Sequence, residues 1–177
     1  GHVRVYQFSS NSWTQLGGDI DGEAANDRSG YSVSLSSDGT ILAIGAINNN
    51  SNTGHCRVYQ FSSGSWTQLG GDIDGEASGD NFGISVALSA DGAVLAVGAR
   101  FNDGTSTDAG HCRVYEYTNS SWTQRGSDLE GEAASDQFGS AVALSKYGNR
   151  LAIGANANDG TGSDAGHVRA FELVGRI

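Results

Sequence analysis

The sequence predicts an all-β protein built from blades of a β-propeller, with a β-solenoid as the structural alternative. Three observations lead to this prediction. A unit of about 56 residues repeats along the chain, each unit holds four short runs typical of strands, and no run has the apolar spacing of an amphipathic helix. Four antiparallel strands in one such unit correspond to a propeller blade. Tight Asp-Gly hairpins favour the propeller over the solenoid.

The repeat sets the boundaries of the predicted blades. One block, GHVRVYQFSSNSWTQLGGDIDGEA in its first copy, starts at glycines that are 53, 56 and 56 residues apart: Gly1, Gly54, Gly110 and Gly166. Between its copies lies a second block, which reads FGISVALSADGAVLAVGA in its second copy. The chain is therefore expected to hold the second half of a blade, two blades and a partial blade: residues 1–28, 29–81, 82–137 and 138–177.

The four runs of a unit follow in a fixed order. The first, Tyr31–Ser36, alternates apolar and small polar residues and is followed by an Asp-Gly turn, which predicts a hairpin. The second, Ile41–Ala46, is apolar on both faces and is expected to be fully buried. The third run is Val3–Phe8, and the fourth opens with Trp13 and fades into GDIDGEA. One such sheet cannot bury both faces alone, so the blades are expected to stack face to face.

Composition and charge argue against two classes of function, nucleic-acid binding and membrane insertion. The 177 residues include 27 Gly and no Pro, and 10 basic against 20 acidic residues give a net charge of −10. An acidic surface repels phosphate backbones and anionic headgroups, so nucleic acids and membrane surfaces are poor partners. No stretch approaches the length of apolar sequence that a membrane-spanning helix needs. Neither nucleic-acid binding nor membrane insertion is expected.

The second block resembles a known family. Phe82-Gly83 followed by Val97-Gly98-Ala99, and Phe138-Gly139 followed by Ile153-Gly154-Ala155, resemble the FG-GAP repeat of integrin-α-type propellers. The first copy differs in having Ser29-Gly30. The resemblance implies a propeller and an extracellular or cell-surface location. The calcium loop of that family is not carried over, because the hairpin between the first two runs lacks a D-x-D-x-D-G string.

Incomplete blades indicate what the chain assembles with. Rings typically hold four to eight blades, so something must complete the set. Unpaired strand edges are templates for strand addition. The expected partners are other copies of the chain or the rest of a longer chain, forming a ring, a fibre or a longer polypeptide, with glycans or extracellular proteins as further partners.

The acidic loops hold the candidate metal ligands. Carboxylates on tight loops can bind Ca²⁺, which takes six to eight oxygens. The alternative is that these side chains cap turns by bonding their own backbone, and this interpretation is preferred, so no cofactor is expected and calcium stays the alternative. The candidates are Asp19, Asp21, Asp72, Asp74, Asp103, Asp108, Asp159 and Asp164.

Four residue types recur at equivalent positions and are interpreted as parts of the scaffold. A histidine follows each starting glycine, and an arginine two residues later is expected to pair with a carboxylate between blades. Cys56 and Cys112 replace Val and are expected to be free, buried thiols without a disulfide. The tryptophans are expected to pack between blades, with glycan stacking as the alternative: Trp13, Trp66 and Trp122.

These observations lead to a non-catalytic function. Residues unique to one repeat form no acid–base or nucleophile constellation, so an enzyme is not expected and no catalytic residue is assigned. Asn49 and Asn119 lie in N-glycosylation sequons, which favour secretion and a glycoprotein. The predicted function is an extracellular structural or adhesion module of propeller repeats that assembles through its open edge strands. The alternative is a lectin-like propeller that binds glycans or cations.

Overall fold

The computed structural model describes residues 1–173, and its sheets are all antiparallel. They form four successive units, which we call blades I to IV. Blade I contains β1 (His2–Val3), β2 (Tyr6–Ser9), β3 (Ser12–Gln15) and β4 (Ile20–Asp21). Blade II contains β5 (Ser29–Leu35), β6 (Ile41–Ala46), β7 (His55–Ser62), β8 (Ser65–Gln68) and β9 (Ile73–Asp74). A single helical turn, α1 (Asn49–Asn52), lies in the loop between β6 and β7.

The remaining strands repeat this order. Blade III contains β10 (Ser85–Leu88), β11 (Val94–Ala99), β12 (His111–Thr118), β13 (Ser121–Gln124) and β14 (Leu129–Glu130). Blade IV contains β15 (Phe138–Leu144), β16 (Arg150–Ala155) and β17 (His167–Glu172). The all-β propeller prediction is confirmed, with four-stranded meanders such as β10-β11-β12-β13 as the unit. No helix among residues 1–173 is long and apolar enough to cross a membrane.

The fourth run differs from the expected continuous strand. It is divided into two pieces, β8 and β9 in blade II, and both pieces pair with β7. Gly70 separates them with a φ of +80°, a conformation that glycine adopts at no steric cost and that turns the chain out of the ladder. The second piece reaches the start of β7, where Cys56 pairs with Ile73. This places the acidic end of the run beside the histidine that opens β7.

The core lies between blades. The second strand is buried on both faces in blades II and III, as its continuous apolar pattern predicts, because one face packs on the preceding blade and the other on the following blade. Leu42 and Ile44 of β6 contact Val5 and Ile20 of blade I. The opposite face of β6 packs on Phe82 and other residues of blade III. Blades III and IV share a third cluster, which includes Val94 and Phe138.

Two sheet faces remain open at the ends of the stack. On the leading face, the exposed apolar side chains are Tyr6, Phe8, Trp13, Tyr31, Val33 and Leu35. On the trailing face of blade IV, Val168 is 70% exposed, while its repeat equivalents Cys56 and Cys112 are fully buried. The same repeat position is thus buried or exposed according to whether a blade covers it.

Candidate functional site

The acidic loops lie together at the edge of the stack where the second strand of each blade ends and the third begins. Within this edge, two of the candidate ligands bond the backbone of their own loops. The Asp103 carboxylate accepts a hydrogen bond from the backbone N–H of Asp108 at 2.8 Å. Asp159 accepts the equivalent bond from Asp164 at 2.7 Å. The Asp103 and Asp159 carboxylates therefore cap loops, as the preferred interpretation of the sequence proposes, while Asp108 and Asp164 contribute their backbone N–H groups.

A second set of carboxylates ties successive loops together. Asp80 is buried and accepts the side-chain amide of Asn102 at 2.8 Å and the backbone N–H of Ala77 at 3.2 Å. Asp136 forms the same pair of bonds with Asn158 and Ala133. Both aspartates recur at the same position of the repeated acidic loop, and each pairs with the asparagine that opens the following Asn-Asp-Gly loop.

The recurring arginine and histidine lie at the junctions between blades. Arg113 donates two hydrogen bonds to Asp128 of its own blade, from Nε and Nη2, at 2.9–3.0 Å. It also contacts Glu76 of blade II. The His111 ring is fully buried beside this group, with Nδ1 3.6 Å from Asp128. The expected pairing of the arginine with a carboxylate across blades is present here.

Burial and the guanidinium set the charge states in this junction. Burial, followed by the nearby charge of Arg113, lowers the pKa of His111. Burial alone would raise the pKa of Asp128, but hydrogen bonds from Arg113 and Gln124 bring it below its ordinary value. At neutral pH the junction therefore combines a neutral imidazole, a guanidinium and two carboxylates, an arrangement suited to joining blades.

The preceding junction uses the same residue types differently. Arg57 of blade II donates to the backbone carbonyl of Asp21 at 2.8 Å and lies 3.6 Å from the Glu23 carboxylate. His55 Nδ1 lies 3.7 Å from the same carboxylate. Asp72, the equivalent of Asp128, instead accepts a hydrogen bond from Gln68 at 2.6 Å.

At these two junctions, histidine and carboxylate side chains also lie close enough together to be metal ligands. Within residues 1–173, two groups place one histidine and two carboxylates with ligand atoms within 4.8 Å: Glu23, His55 and Asp72, and Glu76, His111 and Asp128. Asp72 is the predicted metal candidate that takes part. In the second group Arg113 already contacts both carboxylates, so a divalent cation there would have to displace a paired guanidinium. This donor set suits the arginine better than a metal ion.

A cavity opens beside the first of these junctions. Its volume is about 350 Å³, within the range of small-molecule sites, and it lies between blades I and II. The residues that line it include Asp19, Asp21, Tyr59, Ser65 and Trp66. It therefore combines two predicted metal candidates with a predicted stacking residue. Tyr59 and Ser65 were not predicted, because the same residue types occupy equivalent positions in other repeats and nothing local marks this junction as open.

The two cavity carboxylates differ in their surroundings. Arg4 donates to both oxygens of Asp19 at 2.7–2.8 Å, and Gln15 donates a third bond at 2.9 Å. These hydrogen bonds hold the pKa of Asp19 well below its usual range. The Asp21 carboxylate has no such hydrogen-bond donor among the described side chains. Asp74, its equivalent in blade II, is likewise exposed.

The tryptophans act mainly between blades. Trp66 donates its indole N–H to the Leu16 carbonyl of blade I at 2.9 Å, and Trp122 donates to Leu69 of blade II at 2.8 Å. Trp13 is 69% exposed on the leading face and packs on Phe8, with ring centroids 5.1 Å apart. Only Trp66 combines inter-blade packing with a place in the cavity described above.

The remaining predicted residues occupy distinct surroundings. Cys56 and Cys112 are free and fully buried, and burial raises the pKa of each thiol to about 12. Asn119 is exposed at a hairpin tip, where an attached glycan meets no steric obstacle. Asn49 instead donates its side-chain amide to Asp27 and Glu23 at 3.3–3.4 Å, so a glycan on that nitrogen would break an inter-loop tie.

Comparison with known families confirms the resemblance seen in the sequence. The family model described as FG-GAP repeat matches residues 73–115 and 130–171. These two segments carry FG-GAP repeats. The matched segments contain both Phe-Gly pairs and the second and third strands of blades III and IV. No curated protein matches the chain.

Solved structures of low sequence identity share the fold of this chain. One is a protein of Bacteroides uniformis ATCC 8492 described as a candidate 6-phosphogluconolactonase, which is 11% identical with a TM-score of 0.65. The match covers 97% of this chain and 44% of that protein. Another is the periplasmic gluconolactonase PpgL of Pseudomonas aeruginosa, 15% identical with a TM-score of 0.55, with coverages of 96% and 45%. The chain thus spans less than half the length of either protein.

The descriptions of these two similar structures contradict the function predicted from the sequence. The predictions of a non-catalytic structural or adhesion module, and of a protein that is not an enzyme, are wrong, because both similar propellers are described as enzymes acting on gluconolactones. The low identity establishes a shared fold alone. The prediction required catalytic residues to be unique to one repeat, whereas the structure gives equivalent residues different surroundings.

Proposed function

We propose that this protein hydrolyses a neutral sugar lactone, which binds in the cavity between blades I and II. The observation that carries the proposal is the lining of that cavity: Asp19, Asp21, Tyr59, Ser65 and Trp66. An aromatic wall with a few polar groups is typical of small-molecule sites. The lactonase names of two propellers of the same fold support the reaction class.

The charge of the cavity selects among lactones. Two acidic residues are among those that line it, and the whole chain carries a net charge of −10. A phosphorylated lactone would bring further negative charge next to Asp19 and Asp21, which disfavours binding. The proposed substrate is therefore an uncharged aldonolactone such as glucono-δ-lactone.

Asp21 is assigned as the general base. Asp19 is a poor proton acceptor because its oxygens are engaged by Arg4 and Gln15 and its pKa is lowered. In the proposed reaction Asp21 takes a proton from water as the water oxygen bonds to the lactone carbonyl carbon. The ring C–O bond then breaks, and the leaving oxygen takes the proton from Asp21. The product is an aldonic acid, whose ionisation releases one proton to the solvent.

Burial raises the pKa of Tyr59, so its hydroxyl stays protonated and can donate a hydrogen bond to the bound sugar. Trp66 presents its ring to the same cavity while its indole N–H is held by Leu16. These two residues are assigned to binding and orientation.

A matched pair of variants tests this assignment. Proton release from glucono-δ-lactone is followed in a pH-stat, with the uncatalysed rate subtracted. Asp21→Asn should lower kcat by about 100-fold or more, the usual contribution of a general base. Asp74→Asn, the same change at the equivalent position of blade II, should stay within about twofold. Absence of hydrolysis above the uncatalysed rate, or equal losses in both variants, would reject the proposal.

We also propose that the protein acts outside the cytoplasm. The exposed sequon at Asn119 and the periplasmic location in the name of one similar propeller support this location. A glycosidase-sensitive mass increment on native protein, lost in Asn119→Gln and retained in Asn49→Gln, is expected. If native protein carries no such increment, the sequon at Asn119 is unused and does not support this location.

A further inference from the structure

Blades I, II and III carry an arginine and an aspartate at equivalent positions, but blade II does not pair them. The three sets are Arg4 and Asp19, Arg57 and Asp72, and Arg113 and Asp128. In blades I and III the guanidinium donates to the aspartate of its own blade at 2.7–3.0 Å. Arg57 instead donates to the backbone carbonyl of Asp21 in blade I at 2.8 Å. Within residues 1–173, Asp72 therefore has a hydrogen bond from Gln68 but no guanidinium or ammonium partner.

The histidine near this carboxylate also lacks a hydrogen bond. His55 is 1% exposed, and its ring nitrogens form no hydrogen bond with any of the described residues. The carboxylate oxygen nearest to it is Oε2 of Glu23, which reaches across from blade I and lies 3.7 Å from Nδ1. That separation is too long for a hydrogen bond. Because a buried polar group without a partner costs free energy, a ligand placed between these side chains would stabilise the fold.

The space between the three side chains has the dimensions of a metal site. One ligand atom from each of Glu23, His55 and Asp72 lies within 4.8 Å of the other two. Zinc binds imidazole nitrogen and carboxylate oxygen at about 2.0–2.2 Å in tetrahedral geometry, which places two ligand atoms about 3.4 Å apart. The Glu23 and Asp72 side chains are exposed and can move inward onto an ion held by the buried imidazole. A nitrogen ligand beside two carboxylates suits Zn²⁺ better than Ca²⁺, which prefers oxygen ligands.

We propose that Glu23, His55 and Asp72 bind a divalent transition-metal ion of the Zn²⁺ class, which joins blades I and II. Three protein ligands leave the fourth position of a tetrahedral ion to water. Arg57 can keep its place, because it lies 3.6 Å from Oε1 of Glu23, the oxygen that does not face His55. None of the three ligands lines the cavity assigned to the lactone, so metal binding here is independent of that activity.

The junction of blades II and III explains why an ion is assigned to the first junction alone. Glu76, His111 and Asp128 have the same spacing, and both ring nitrogens of His111 are buried without a hydrogen bond. Arg113, however, contacts both carboxylates of this group and already supplies the positive charge. The two junctions are therefore a matched pair of donor sets that differ in the position of one guanidinium.

Equilibrium dialysis against Zn²⁺ tests the site, with the untagged full chain freed of metal by a chelator beforehand. We expect one tightly bound ion per chain. Asp72→Asn and Glu23→Gln should each weaken its binding by about 100-fold or more, since loss of even an outer-shell partner of a metal ligand costs about 10–100-fold. Both side chains are exposed, so these variants should fold, whereas the buried His55 is left intact.

Stability provides a second readout of the same ion. At a free Zn²⁺ concentration about 100 times the Kd, the equilibrium constant for unfolding should fall by about 100-fold, because the ion binds the folded chain. This effect should be lost in Asp72→Asn and Glu23→Gln.

Two variants at the junction of blades II and III are the controls. Asp128→Asn, the same change at the equivalent position, should leave the Zn²⁺ affinity within about twofold, because it is distant from the proposed site. Arg113→Gln removes the guanidinium from the second donor set and should raise the number of bound ions from one to two.

Three results would overturn the proposal. The first is an unsubstituted chain that binds no ion. The second is unchanged affinity in Asp72→Asn and Glu23→Gln, which would assign the metal to other carboxylates of the acidic surface. The third is equal weakening by Asp72→Asn and Asp128→Asn.

Discussion

The junction of blades I and II and the junction of blades II and III are built from nearly the same sequence and differ in structure. At the second, Arg113 joins Asp128 and Glu76 and buries His111. At the first, Arg57 bonds a backbone carbonyl instead, and a cavity lies between the blades. The comparison shows that in repeated blades the neighbouring sheet, more than the local sequence, decides which side chains are buried and which are available for chemistry.

The largest expected effect concerns two leucines at the same repeat position. Leu88 is 8% exposed between blades II and III, and Leu35 is 47% exposed on the leading face. Leu88→Ala should lower the free energy of unfolding by about 3 kcal/mol, because it removes buried methyl groups and leaves a cavity. Leu35→Ala should cost less than about 1 kcal/mol. Equal losses in urea unfolding would show that the leading face is covered in solution.

The arginines provide the next comparison. Arg113→Gln leaves Asp128 and Glu76 without their shared guanidinium and should cost about 2 kcal/mol, less than the loss of one partner from a fully buried ion pair, because the Glu76 side chain is exposed. Arg4 makes the same two bonds to Asp19 in an exposed position. Arg4→Gln should therefore cost much less than Arg113→Gln, and that cost should shrink further at high salt. A larger loss for Arg4→Gln than for Arg113→Gln would contradict the view that coverage by a neighbouring blade controls these energies.

The fold was predictable because its signals repeat. The apolar run Ile41–Ala46 is buried on both faces as expected, and Phe82-Gly83 marks the start of a blade. The cavity was not predictable, because Trp13, Trp66 and Trp122 have almost identical local sequences. One is exposed, one lines a cavity and one is packed between complete blades. That difference comes from the neighbouring sheet, which a single repeat does not encode.

The buried histidine His111 should make the stability of the protein depend on pH. Its pKa is lowered in the folded protein, first by burial and then by Arg113, whereas the unfolded side chain titrates near pH 6.5. The unfolded state therefore binds more protons, and stability should fall as pH drops below about 6.5, by at most about 1.4 kcal/mol for each pH unit. Urea unfolding between pH 5 and pH 7.5 measures this slope.

His111→Gln is the control, because it removes the titrating ring from the junction. We expect the variant to show a shallower dependence on pH over that range, whatever its stability at pH 7.5. An unchanged slope in the variant would assign the proton uptake to another group.

The smallest expected change in stability concerns a single hydrogen bond between two blades. Trp66→Phe keeps an aromatic ring but removes the indole N–H that donates to Leu16 at 2.9 Å, so the free energy of unfolding should fall by about 1 kcal/mol, the net value of a typical hydrogen bond. Trp13→Phe makes the same change on the exposed leading face, with no blade in front of it, and should stay within about 0.5 kcal/mol. Because the two tryptophans share their strand sequence, a difference between the variants measures the contribution of the covering blade. A loss of about 1 kcal/mol in both would mean that the Trp13 indole has a partner in solution, as docking of another sheet on the leading face would provide.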